Sequence, residues 1–299
     1  MSPMMPRAGV AALALALGLG IGLGGCGSDP GPSTSGLPQP STTVSGPSTS
    51  DSGFVAFGDF GGGSHQDDVA GAMTAWAESH RVDALVTTGD NVYPSGDPGL
   101  FDDHLDNPYA ELRRTRPFWV TLGNHDVDGG HGDEQLEYLG LPLLPYTEEL
   151  EGIQFLFLDA NEPDDRQAEW LDERLSEAGP HFRVVVFHQP AYSCGEHGST
   201  DAVVDTWVRI LEKHRVALVL NGHDHLYERF VSANDVTYIV TGGGGKSLYD
   251  ERDSCDQESI KTASAVEYHF VAAELSDEGL RIRAVAEDGS VLDEALIER

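Results

Sequence analysis

Five short blocks constrain this chain more than anything else in it: GDFG at 58–61, GDNVY at 89–93, GNHD at 123–126, VVFH at 185–188 and GHDH at 222–225. The first four follow directly on apolar, β-type runs, and all but the fourth are flanked by glycine. Each block offers one to three oxygen or imidazole donors. Donors set just past the carboxyl ends of buried strands point into the crevice above a sheet. The order predicts one rim on which Asp59, Asp90, Asn124, His188, His223 and His225 meet. Glycine precedes Asp59, Asp90, Asn124 and His223, where the backbone must turn sharply and a side chain would crowd the site.

Taken singly, these residues say little. Asp59 or Asp90 alone reads as a turn residue or helix cap, His188 as a core histidine, and Tyr93 as a packing residue. His223 and His225 alone read as a loop pair. Five blocks in order, each at a strand end, describe two adjacent metal ions. The donors are Asp59, Asp90, Tyr93, Asn124, His188, His223 and His225. Hard oxygen mixed with imidazole suits iron, zinc or manganese, and not calcium or a thiolate zinc site. Asp90 is the natural bridge between two cations. A phenol ionises only near pH 10 unless a strongly electrophilic ion binds it, so Tyr93 points to Fe(III) at one position.

The rest of the pattern predicts the scaffold. Apolar runs at 54–58, 82–87, 117–122, 153–158, 183–187 and 216–220 read as buried strands. Helical spacing places Val69, Met73, Trp76 and Ala77 inward on a helix over 66–80, and Trp170, Leu171 and Leu175 inward on a second around 167–177. A third helix is expected over 201–213, with Asp201 as its cap. Segments 236–241, 265–275 and 280–286 alternate more and are expected to form sheet with one wetter face. Residues 242–263 read as a long functional loop. Helices and strands alternate for two-thirds of the chain, then strands follow strands. That predicts an α/β fold of two mixed sheets packed as a sandwich and flanked by helices.

The ends predict an exported protein. Arg7, an apolar run over 8–23 and Leu23–Gly24–Gly25–Cys26 make 1–26 a signal segment too short for a comfortable membrane span. Its LGGC ending resembles a bacterial lipobox, which implies a lipid on Cys26 and an anchor at the cell envelope. Residues 27–52 are nearly all Ser, Thr, Gly, Pro and Asp and read as a disordered tether, leaving 53–299 as the catalytic domain. A net charge of −32 with three lysines shows no basic stripe, which argues against a nucleic-acid partner. Positive charge for an anionic ligand must then be local, and bound metal supplies it. Cys194 and Cys255 remain; in an exported protein they are expected to pair, the alternative being two free thiols.

The five blocks, as Asp59–Phe60–Gly61, Gly89–Asp90–Asn91–Val92–Tyr93, Gly123–Asn124–His125–Asp126, Val185–Val186–Phe187–His188 and Gly222–His223–Asp224–His225, resemble the calcineurin-like metallophosphoesterases. Among these the chain is similar to the purple, tartrate-resistant type of acid phosphatase, of which the tyrosine in the second block is the most specific mark. The resemblance implies an Fe(III) site of Asp59, Asp90, Tyr93 and His225, and a divalent site (Fe, Zn or Mn) of Asp90, Asn124, His188 and His223. It implies that His125 and His197, the latter in Glu196–His197–Gly198, face the substrate and that Asp126 orients His125. The implied reaction is hydrolysis of small phosphate monoesters, with a metal-bound hydroxide attacking phosphorus and His125 or His197 as general acid. Alternatives are a phosphodiesterase or nucleotidase on the same fold, and a non-catalytic, lipid-tethered module that binds phosphate or metal.

Overall fold

The computed structural model describes residues 52–180 and 182–298. The expected signal segment with Cys26, and all of the expected tether except Ser52, lie outside the described residues. Among the described residues, thirteen strands form two sheets. In the first, β1 (Ser52–Phe57), β2 (Ala84–Thr87) and β3 (Phe118–Val120) run parallel. In the second, β4 (Tyr146–Leu150) pairs antiparallel with β5 (Ile153–Phe157), which runs parallel to β6 (Phe182–Val186), β7 (Leu218–Asn221) and, beyond β8 (Tyr227–Val231) in sequence, β9 (Thr237–Thr241). β8 pairs antiparallel with β9 and with the edge strand β10 (Lys261–Ala265). The chain then returns to the first sheet as an antiparallel run of β11 (His269–Ser276), β12 (Gly279–Ala286) and β13 (Val291–Ile297), with β11 against β1. The orders are β13-β12-β11-β1-β2-β3 and β10-β8-β9-β7-β6-β5-β4, the expected two mixed sheets.

Why the central strands are apolar throughout follows from their two buried faces. In β1, Phe54 and Ala56 join the core between the sheets, while Val55 and Phe57 join the core beneath helix α1 (Gln66–Ala77) with Val69, Ala70 and Met73. In the second sheet, Phe155, Val184 and Leu218 face inward. Leu156, Val185 and Val219 pack outward with Leu171 and Leu175 of a second helix (Asp165–Ser176), and with Trp207 and Leu211 of a helical run over 201–214. Across the interface, the Phe54 and Phe155 rings meet edge to face at 4.9 Å, which favours the quadrupoles of both rings.

Four strands were not expected: β4, β8, β10 and β13. β4, β10 and β13 lie at sheet edges with two exposed residues each, and their charged or small polar residues hide the apolar period. β10 also shortens the expected 242–263 loop. The wetter face predicted for 236–241 is absent, because β9 lies between β7 and β8 and is buried on both sides. Asp201 does not cap its helix: Thr200 holds the cap position with no side-chain bond, and Asp201 sits in the first turn.

Phe155→Ala removes aromatic contacts to Phe54 and Trp119 that span the two sheets, and leaves a void in a closed core. A loss of about 3–5 kcal/mol is expected in urea unfolding. A loss near zero would mean that the sheets are held elsewhere.

Candidate metal centre

The site forms where the carboxyl ends of β1, β2, β3, β6 and β7 open toward each other across the two sheets. Asp59 and Asp90 each lie two or three residues beyond their strand, with φ of 57° and 53°; His223 has φ of 73°. Non-glycine residues in this left-handed region cost on the order of 1–3 kcal/mol each, and they persist where the surroundings hold them. Two glycines show what does so here. A side chain at Gly89, whose φ is +96°, would come within 2.7 Å of His188 Nδ1, and one at Gly222 within 2.5 Å of Asp59 Oδ2.

Tyr93 links one group of donors. Its hydroxyl donates to Asp90 Oδ2 at 2.8 Å and lies 3.4 Å from Asp59 Oδ1 and 3.2 Å from His225 Nε2. His225 Nε2 is also 3.4 Å from Asp59 Oδ1. The second group converges from other blocks. His188 Nε2 lies 3.4 Å from Asp90 Oδ2, and His223 Nδ1 lies 3.1 Å from Asn124 Oδ1. The His188 and His223 rings are 5.1 Å apart, which joins this pair to the rest. All seven donors named from the sequence therefore meet, with Asp90 common to both groups.

Backbone carbonyls set the imidazoles. A carbonyl only accepts, so the Nδ1–H of His188 donates to Thr88 O at 2.8 Å and that of His225 to Ser247 O at 2.7 Å. Each ring then turns Nε2 toward the carboxylates, as metal-binding histidines do. His188 Nε2 is buried with no hydrogen-bond partner among the described residues. A buried, unpaired nitrogen beside Asp59 and Asp90 is what a cation site requires, and these three side chains bring ligand atoms close enough to hold one ion. The residues fit a metal.

The electrostatics agree. Burial opposes a charge on His188, but Asp90 and Asp59 outweigh it and push the imidazole up to about 10. The carboxylates thus demand a positive partner, and a bound cation takes the place of that proton. Burial, with Asp59 and Asp90 added, drives the Tyr93 phenol far above its ordinary range. Burial and the neighbouring His188 and His197 rings push His223 down to about 3, which leaves its nitrogen lone pair free to ligate. The Lys246 ammonium sits 4.3 Å over the Tyr93 ring. Lys213 and Lys261, the other two lysines of this acidic chain, pair with carboxylates instead.

Two histidines stand at the mouth. His125 Nδ1 donates to Pro94 O at 2.7 Å, and its Nε2 lies 4.0 Å from Asp90 Oδ2. The His197 ring lies 4.3 Å from that of His223. Asp126 does not orient His125, contrary to expectation. Its buried carboxylate accepts from the amides of Gly123 (2.8 Å), Asn91 (3.0 Å) and Val92 (2.9 Å) and from the Gln135 side chain (3.0 Å). It therefore ties the GDNVY turn to the GNHD helix start (Asn124–Asp128), and Pro94 O orients His125. The carbonyls of Thr88, Pro94 and Ser247 were missed because a backbone acceptor leaves no residue-type signal. Tyr249, stacked on His225 at 4.0 Å, was missed because it belongs to no block. Cys194 and Cys255 are joined as a disulfide with Cα atoms 5.3 Å apart, closing the loop that carries His197.

The sequence profile of the calcineurin-like phosphoesterases matches residues 53–227, more than half of the chain, and the protein belongs to that family. Relatives in sequence include purple acid phosphatases. Purple acid phosphatase 7 of Arabidopsis thaliana is 26% identical over 244 residues, covering 70% of this chain and 74% of its own length. Tartrate-resistant acid phosphatase type 5 of Homo sapiens is 26% identical over 235 residues, covering 64% and 72%. The fold matches that of purple acid phosphatase PPD1 from yellow lupin seeds, with a TM-score of 0.73 at 17% identity over 83% of this chain and 54% of the lupin chain. A dimetal phosphatase from Danio rerio superposes with a TM-score of 0.58 at 16% identity, over 84% of this chain and 99% of the other. The chain is thus a calcineurin-like phosphoesterase that is similar to purple acid phosphatases.

Proposed function

We propose that this protein hydrolyses small phosphate monoesters at a ferric–divalent pair, Fe(III) with a divalent Fe, Zn or Mn ion. The observation that carries the reading is Tyr93. Its phenol is buried among two carboxylates that oppose its ionisation, so it is useful as a ligand only to a strongly electrophilic cation. Asp59, Asp90, Tyr93 and His225 would hold the ferric ion, and Asp90, Asn124, His188 and His223 the divalent one.

When bound, the two ions supply Lewis acidity: they stabilise charge on the phosphoryl oxygens and acidify water. The chain supplies the proton. With Nδ1–H committed to Pro94 O, a protonated His125 presents Nε2–H at the mouth. As the bond from phosphorus to the leaving oxygen breaks, that proton passes to the oxygen and spares an alkoxide. His197, across the mouth on the disulfide-closed loop, is the second candidate for this role. The acidic exterior repels large polyanions, so the substrate is small and drawn by local charge alone.

Three measurements test the reading. His125→Ala should keep its metal but lose turnover of an alkyl phosphate monoester, whose alkoxide needs the proton, by about a hundredfold or more. Unchanged turnover moves the general acid to another residue, and faster hydrolysis of bis-p-nitrophenyl phosphate than of p-nitrophenyl phosphate by the wild type marks a phosphodiesterase instead. Tyr93→Phe should abolish the visible phenolate-to-iron absorption of the oxidised holoenzyme; a wild type already colourless when oxidised and fully loaded rules out the ferric assignment.

We further propose that the enzyme is exported and anchored by lipid on Cys26, with the domain outside the cytoplasm. The LGGC sequence after an apolar run supports this. Cys26→Ser should shift phosphatase from the membrane fraction to soluble fractions; an unaltered distribution excludes the lipid.

A further inference from the structure

Asp224 lies between two donors of the metal centre, His223 and His225, yet none of the chemistry above uses it. Its side chain is fully buried. The loop over 193–198 is folded around its carboxylate. Asp224 Oδ1 accepts from the His197 amide at 2.7 Å, and Oδ2 accepts from the Ser193 hydroxyl at 2.6 Å and the Gly198 amide at 3.0 Å. Gly195 presses against the same group so closely that a Cβ there would sit 2.5 Å from Asp224 Cγ.

The His197 ring, by contrast, is exposed and makes no hydrogen bond among the described residues. Among the described residues it makes only ring contacts, tilted against His223 at 4.3 Å and edge-on to Tyr249 at 5.5 Å. Its place over the site is therefore inherited from its main chain. Other restraints act further back in the loop: Glu228 accepts the Cys194 amide at 2.9 Å, the Arg252 amide donates to Cys194 O at 2.9 Å, and the disulfide fixes Cys194. Among the described residues, only Asp224 accepts the His197 amide itself.

We propose that Asp224 is a positioning residue that registers His197 over the metal centre. One three-residue segment then sets two ligands through its histidines and the substrate-side imidazole through its aspartate. The inference rests on the reading of His197 as a substrate-side residue.

The test is a double-mutant cycle on metal-loaded enzyme, with amide hydrogen exchange as a second readout. Asp224→Asn keeps the size of the side chain but places an NH2 group against donors. It should lower kcat/KM for p-nitrophenyl phosphate by about ten- to a hundredfold, the usual cost of losing such an orienting partner. Metal content should stay that of the wild type, and exchange should accelerate at residues 195–199. In a His197→Ala background the same change should add less than about threefold, because coupled residues do not add. A full loss that persists without His197, or loss of metal, overturns the proposal. Unaccelerated exchange at 195–199 overturns the anchor itself. Wild-type turnover in His197→Ala overturns the substrate-side reading, and the exchange data still report on the anchor independently. If Asp224→Asn does not fold, Ser193→Ala removes one donor to the carboxylate; it should show the same exchange pattern at smaller amplitude, and no change at all overturns the anchor.

Discussion

Two buried carboxylates, Asp59 and Asp90, reach toward one phenol and two imidazoles, and the rest of the structure answers to that crowding. Anionic groups so close and so dry need a positive partner, since isolated buried charge is costly. Asp90 and Asp59 push the His188 imidazole toward its charged form, and its Nε2, with no hydrogen-bond partner among the described residues, marks where a cation would substitute. The left-handed backbone of Asp59, Asp90 and His223 shows that the fold accepts local strain to bring the donors together.

Rigid elements hold the cup. The donors leave strands that are buried on both faces, so the strand ends have little room to move. Carbonyls of Thr88, Ser247 and Pro94 then fix three rings, and Asp126 locks two of the five blocks to each other by accepting their amides. This arrangement separates two tasks. Ligand identity belongs to side chains at strand ends, whereas ligand orientation belongs largely to the backbone.

The substrate side is built differently. His197 sits on a loop rather than beyond a strand, and it is held by a disulfide, by Glu228 and by Asp224. Closing a loop of 61 residues constrains the unfolded chain, worth up to roughly 4 kcal/mol in the chain-entropy picture. The carboxylate anchors act more locally, on the amides that carry the ring. Precision at the mouth is thus borrowed from the metal segment itself.

Much of this was legible in the chain alone. The central strands announced themselves because burial on two faces makes them continuously apolar, and the seven donors because each follows such a strand after a turn. Edge strands β4, β10 and β13 did not, since a strand with one wetter face carries charged or small polar residues that mask its period. The residue types that can bind metal were set by the sequence, because donor chemistry is a property of side chains. Which nitrogen faces the ions, which carbonyl turns each ring, and that Asp126 braces loops while Pro94 orients His125 were decided only by the tertiary structure. Hydrogen-bond partners distant in sequence, and backbone acceptors above all, have no signature in residue identity; they exist only once the chain has closed on itself.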